Sequence, residues 1–311
     1  MSEQGIIIET IDGVDFRIRE NRDFSFLNEL GKVFTVFDQN DSGNLSFGVK
    51  NTNDEKFFVK IAGMKTAESF RSPIEAVNAL EEAMEVYEAI RFPHLIELVK
   101  HFKLDDLYVA VFKWVSGECL FDHWNFEKYA QNSTIQSPMQ RFKSLPITKK
   151  VRIINTLFDF LMEVEKCGYV AVDFYEGSIL YDFDNDILTI CDIDFFRKNP
   201  VINTMGKDYW GSKRIKAPEE YVLGAKIDSI TNVYALGALI FHLCGEYSKA
   251  EISEIYEKSE FFPYTYEKWG LEKSLYDICM ISVQKERAQR YRNLYEFAEK
   301  WKLGVRNLIN H

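Results

Sequence analysis

Three oxygen-bearing side chains, Asp173, Ser178 and Asp192, flank two short apolar runs, Ile179–Tyr181 and Ile187–Cys191. Asp184-Asn185-Asp186 lies between the runs and has the composition of a tight turn. Paired as a hairpin, the runs bring their outer ends together, and the three side chains with them. Converging oxygen ligands suit a hard cation such as Mg²⁺. A carboxylate beside them is placed to accept a hydroxyl proton. Phosphoryl transfer from a nucleotide needs both. The competing reading is a hairpin whose acidic residues are merely solvated, and this stretch alone does not choose between the two.

A cation far upstream bears on that choice. In the strand-like run Lys56–Ala62, period-two alternation puts Phe58 and Lys60 on one face and Val59 and Ile61 on the other. An ammonium beside an aromatic ring needs water or an anion; an exposed edge lysine is the plain alternative.

The elements that must position these groups follow from bulk properties and pattern. A chain of 311 residues, 46% hydrophobic and 15% aromatic, can bury a substantial core and fits one large domain or two lobes sharing a cleft. The formal net charge of −10 argues against a nucleic-acid partner, which calls for a basic field. Five scattered cysteines, with no C-x-x-C pair, fit reduced thiols and a cytoplasmic setting. The N-terminal residues lack the pattern of a signal peptide, and no apolar run reaches ~18 residues, so no membrane span is expected.

Along the chain, Asp12-Gly13 marks an N-terminal hairpin, and 24–30 reads as a connector with buried aromatics. Three antiparallel strands follow, punctuated by polar turns at 38–44 and 51–54. Glu75–Ile90 has helical periodicity and stops at Pro93. Two more strands, Leu95–Phe102 and Leu107–Val115, lead to Gly117. Beyond it 131–145 reads as polar loop. Thr148 is the expected N-cap of an amphipathic helix ending at Cys167, and 232–243 reads as a buried helix. The expected fold class is α+β, with a small, mostly antiparallel β lobe and a larger α-rich lobe. Residues 1–23 form a strand extension, 24–116 the first lobe and 117–311 the second.

In that order the chain resembles the protein kinase family from about Phe34 to Trp301. Phe57-Phe58-Val59-Lys60 is similar to the strand whose lysine holds nucleotide phosphates. The run 107–118 resembles the strand and hinge that meet adenine. Ala171-Val172-Asp173 stands where H-R-D would be, Asp192-Ile193-Asp194 where D-F-G would be, and Ala217-Pro218-Glu219 is an intact A-P-E. Val233-Tyr234-Ala235-Leu236-Gly237 resembles the start of the family's buried helix, and Arg290 stands where an arginine pairs with the A-P-E glutamate.

The resemblance implies a bilobal kinase-like fold binding ATP and Mg²⁺. Lys60 would hold phosphates, Asp173 would act as base, and Asp192 with Ser178 would bind metal. Phe58, Val111 (as gatekeeper) and Leu180 would line the adenine slot, and Glu118 would reach the ribose. Of the glycine-rich loop only Gly43 survives, with Asp38 and Asn40 at the other glycine positions. Ala83 stands where a helix glutamate should pair with Lys60, and a one-residue slip would offer Glu82. Val172 makes the catalytic loop non-RD, which argues against control by loop phosphorylation. Tyr175 replaces a lysine, and Ser178 an asparagine. Gly211-Ser212 matches the Gly-Thr of serine/threonine kinases, whose hydroxyl bonds the catalytic aspartate. The implied activity is that of a serine/threonine protein kinase with a protein substrate. The alternatives are a pseudokinase that binds or scaffolds, and a small-molecule kinase.

Overall fold

The computed structural model describes residues 5–69, 71–121, 126–132 and 134–309. The chain divides into two compact units, one of Met1–Ala89 with Leu95–Ser116 and the other of Ile90–His94 with Gly117–His311.

The first unit contains β1 (Ile7–Ile11), β2 (Val14–Ile18), β3 (Lys32–Phe37), β4 (Asn44–Lys50), β5 (Lys56–Ala62), α1 (Pro73–Ala89), β6 (Leu98–Leu104) and β7 (Leu107–Lys113). Asp12 and Gly13 both take left-handed φ, 54° and 85°, and so close the β1–β2 hairpin in two residues. The other five strands form one antiparallel sheet in the order β3-β4-β5-β7-β6. Odd-numbered residues of β4, β5 and β7 (Leu45, Phe47, Val59, Ile61, Val109, Val111) share one face. They pack against Phe16 and Ile18 of β2 and against Phe24 and Leu27 at the 3₁₀ turn Ser25–Glu29. Burying each such side chain stabilises the unit by roughly 1.5–3 kcal/mol. On the opposite face lie Phe58, Lys60, Ala110 and Phe112, and Tyr87 of α1 meets the Phe112 ring at 4.9 Å.

The second unit contains β8 (Glu118–Cys119), α2 (Phe126–Gln131), α3 (Pro138–Lys143), α4 (Ile147–Lys166), β9 (Tyr169–Val170), β10 (Ile179–Asp182) and β11 (Ile187–Ile190). After these come β12 (Arg197–Lys198), β13 (Val201–Ile202), β14 (Lys226–Ile227), α5 (Ser229–Cys244), α6 (Lys249–Lys258), α7 (Lys273–Ser282) and α8 (Leu294–Ile309). Helix α5 is buried on nearly every side and packs against α4, α7 and α8. Its N-cap is Asp228, whose carboxylate accepts from the Ile230 amide at 3.0 Å. No helix among the described residues is long and apolar enough to cross a membrane. The small β-rich part and the larger α-rich part expected from the sequence are both present.

Two local expectations are corrected. The 131–145 stretch is not all loop, because Ser137 and Gln140 cap each other reciprocally at the start of α3, with Pro138 at its first position. Thr148 is not the N-cap of α4; it lies inside a helix that begins at Ile147, directly after Pro146. Proline's fixed φ suits a helix entry, so the start moves up to the residue that follows it.

Candidate functional site

The hairpin of β10 and β11 pairs Ile179 with Ile190, and one step further out the Cys191 amide donates to the Ser178 carbonyl at 2.9 Å. Ser178 and Asp192 are thereby held at the open end of the hairpin. Asp173 lies one 3₁₀ turn before it, across Glu176–Ser178. Tyr175 reports on the grouping: burial, then the charges of Asp173 and Asp192 in turn, push its hydroxyl pKa far above the ordinary value. Asp173 and Asp192 both hold left-handed backbone, φ 59° and 53°, a conformation that aspartate adopts more readily than most residues. The Ser178 side chain is fully buried, and its hydroxyl has no hydrogen-bond partner among the described residues. A buried hydroxyl left so costs about 1–3 kcal/mol unless something outside the protein meets it.

That orphan oxygen, at the same hairpin end as Asp192, fits the oxygen chemistry of Mg²⁺. Among the described residues there is no group of three or more His, Cys, Asp or Glu placed to hold a metal. Mg²⁺ does not require one, since it is commonly held by one or two protein oxygens, waters and substrate phosphate oxygens.

The segment after the hairpin closes over Asp173. Here the Ser212 backbone amide, rather than the hydroxyl expected from the sequence, donates to Asp173 Oδ1 at 2.9 Å. Gly211 sits where an added Cβ would come within 3.2 Å of the Lys216 chain, with Asp173 Cα at 3.9 Å. Val172, at the position of the missing arginine, is buried with Val170, Tyr209 and Ile227. Apolar packing therefore anchors this segment where an arginine and a phosphate would otherwise do so. The Ala171 amide donates to Asn232 Oδ1 of α5 at 3.0 Å, tying the stretch before Asp173 to the buried helix.

Three buried charge clusters underlie the loop. Glu219 receives Arg290 at 2.8 and 3.0 Å, Arg287 at 2.6 Å and the Thr231 hydroxyl at 2.9 Å. Burial would raise its pKa, but the Arg290 guanidinium reverses this and holds the carboxyl below its ordinary value. Glu176 pairs with Arg214, with His242 behind it. Burial alone would raise Glu176, and the opposing charge of Arg214 brings it below normal; burial pushes His242 down to about 4. Lys216 donates to the Tyr209 carbonyl, and Glu220 accepts from the Ala217 amide at 2.7 Å. Burial drives Glu220 up to about 8 and Lys216 down. Apart from the Arg290–Glu219 pair, sequence reasoning missed these clusters. Their one signal was charge in apolar company: His242 within an apolar helix, and Arg214 and Lys216 bracketing Ile215.

Described by itself, the first unit places Lys60 on β5, 8% exposed, opposite Ala110 and on the face that carries Phe58 and Phe112. The register puts Val111 opposite Val59, on the other face and inside the hydrophobic core. The side chains that share Lys60's face are thus Ala110 and Phe112, one residue to either side of the gatekeeper read from sequence. Glu82 stands on the exposed side of α1 while Ala83 is fully buried; one residue is about 100° of helix rotation, so the slip is not made. Asp38, at a lost glycine position, is bound by Arg17 through its amide at 2.8 Å and its Nε at 3.1 Å. Gly43 has φ 86°, and a Cβ there would meet Ala76 of α1 at 3.0 Å. In the second unit, Glu118 pairs with Arg141, and Leu180 is half-buried in β10 opposite Cys119.

No protein-family model matches the chain, and no curated protein matches it. Among solved structures the chain is similar to the kinase PK-1 of the Cydia pomonella granulovirus. The two share 17% identity with a TM-score of 0.64, over 89% of this chain and 96% of that one. At this identity the likeness shows the fold, and the chain has a bilobal, protein-kinase-like fold.

Proposed function

We propose that this chain is an ATP- and Mg²⁺-dependent phosphotransferase acting on protein serine or threonine hydroxyls. The observation that carries the reading is the gathering of Asp173, Asp192 and the orphan Ser178 hydroxyl around one hairpin end. Asp173, oriented by the Ser212 amide, positions the acceptor hydroxyl and takes its proton. Ser178 and Asp192 hold Mg²⁺, which when bound neutralises charge on the phosphate oxygens. Lys60, buried beside Phe58, Ala110 and Phe112, serves the phosphates, with those three side chains offering the apolar surface for a base. Each charge acts where charge develops in the transition state, so neutralising one should slow transfer by roughly 10²–10³-fold or more. The apolar anchor at Val172 keeps the segment ordered without phosphorylation.

Specific observations favour a second reading, a nucleotide-free or weakly binding scaffold. Asp38 stands in the strand turn at a glycine position, Gly43 is packed against α1, and the helix side facing the core carries Ala83. Incubation of the purified chain with labelled ATP, Mg²⁺ and a generic protein substrate separates the two. The enzyme reading expects label on protein, lost in Asp173→Asn and in Lys60→Met. Absence of transfer by the unaltered chain supports the scaffold, and transfer to amino sugars or alcohols but not protein redirects the reading to a small-molecule kinase. A melting-temperature titration with ATP, with and without Mg²⁺, reads binding separately from chemistry.

A further inference from the structure

A polar cavity lies within the larger unit, where the end of α3, the start of α4 and the residues after α5 meet. Its volume is about 350 Å³, and Gln136, Gln140, Lys143, Lys150, Glu246 and Lys268 line it. Lys268 is engaged, pairing with Glu251 at 2.6 Å. The other two ammonium groups are not matched in this way. Lys150 is 6% exposed and donates only to the Lys143 carbonyl at 3.0 Å. Lys143 makes no ion pair or side-chain hydrogen bond among the described residues, and burial pushes its pKa down, with Glu246 and Glu176 acting the other way.

Lys150 is placed against the local electrostatics, whereas Lys143 stands in the last turn of α3, where the helix terminus favours a cation. Lys150 stands in the first turn of α4, which has no acidic residue to offset the positive helix terminus. A cation there is repelled by the helix dipole, and burial removes the water that would otherwise solvate it. Gly245 and Gly270 leave bare backbone at the cavity wall, and a Cβ at 270 would lie 3.8 Å from the Lys150 ammonium. Two desolvated ammonium groups with spare donors, amide side chains at the rim and one carboxylate leave the cavity net positive. Such a site is complete when an oxyanion fills it.

We propose that this cavity binds a small tetrahedral oxyanion, free phosphate or a phosphate monoester, with Lys143 and Lys150 as its cationic ligands. The volume lies at the small end of ligand sites and leaves room for an organic group on the ester. The site does not depend on the phosphotransferase reading, because none of its lining residues belongs to the hairpin end or to β5.

Calorimetric titration of the whole chain with inorganic phosphate at fixed ionic strength tests this, with acetate as the planar carboxylate control. Saturable one-site binding is expected, stronger for phosphate than for acetate. Lys143→Gln should weaken it about tenfold or more. Glu246→Gln, at an exposed position where folding is not at stake, should tighten it about threefold. Lys60→Met should leave it unchanged. A parallel titration with O-phosphoserine distinguishes the sources: tighter binding identifies a monoester, and equal binding identifies the free ion. The proposal is overturned by the absence of saturable binding, by acetate binding as tightly, by no response in either Lys143→Gln or Glu246→Gln, or by loss in Lys60→Met.

Discussion

The strand turn at 38–43 and the hairpin end at 173–192 are both polar, acidic and aligned with nucleotide-handling parts of the kinase pattern, yet they use their polar groups differently. In the turn, Asp38 accepts from the Arg17 backbone and side chain, and Gly43 is closed off by Ala76. Those groups are committed to holding β2, β3 and α1 together. At the hairpin end the Ser178 hydroxyl is buried without a partner among the described residues. Polar groups satisfied internally support the fold, whereas the buried Ser178 hydroxyl keeps hydrogen-bonding capacity that a ligand can use. The Lys143–Lys150 cavity follows the second pattern, in contrast to the Glu219 cluster, where each carboxylate oxygen meets an arginine.

The contrast can be broken at its strongest internal anchor first. Arg290→Ala leaves Glu219 buried with only its partly exposed partner Arg287 and the Thr231 hydroxyl. It should cost about 3–5 kcal/mol, read as a lower denaturation midpoint in urea. A mutant as stable as the parent would show that the buried cluster is not what anchors the segment.

The next effect is a pH window. His242, at about 4 when folded, stays neutral in the native state, while the unfolded histidine titrates near 6.5. The unfolded chain therefore binds more protons between these values. Stability contributed by this group is complete above pH 6.5 and is lost as pH falls toward 4, by on the order of 3 kcal/mol. His242→Gln should flatten the slope of unfolding free energy in that window.

Ser178→Ala sharpens the comparison from the other side. Loss of the hydroxyl should weaken Mg²⁺-dependent ATP binding about tenfold, while the melting temperature stays level or rises, since an unsatisfied buried group has been removed. A large loss of stability with unchanged Mg²⁺ dependence would make the hydroxyl structural.

The smallest effect belongs to the turn. Asp38→Ala should cost at most about 1 kcal/mol, because its partner Arg17 is partly exposed, and nucleotide affinity should not change. A gain in affinity would show that the Asp38 charge repels the nucleotide phosphates.

Much of this was legible in the residues. The β1–β2 turn, the three consecutive antiparallel strands β3 to β5 and the buried α5 follow from turn chemistry and periodicity, and the Arg290–Glu219 pair from the resemblance to the kinase pattern. Ser137-Pro138-Met139-Gln140 carried a capping-box signature for α3 that the surrounding polar composition obscured. Val111 shows the limit of spacing. Alignment by sequence sets it at the gatekeeper position, but strand register is fixed by pairing with β5, and a shift of one residue moves a side chain to the other face of a sheet. Glu82 fails likewise, by one step of helix rotation.

The sequence alone determined which chemistry the chain holds: a lysine in a strand, two aspartates about a hairpin, and the apolar periodicities that bury one face of each element. Tertiary structure decided which polar groups are satisfied. Asp38 and Glu219 find partners far away along the chain, while the Ser178 hydroxyl is buried without a partner and Lys143 and Lys150 form no ion pair among the described residues. Hydrogen-bond satisfaction depends on neighbours brought together by folding, and no local pattern of residues encodes it.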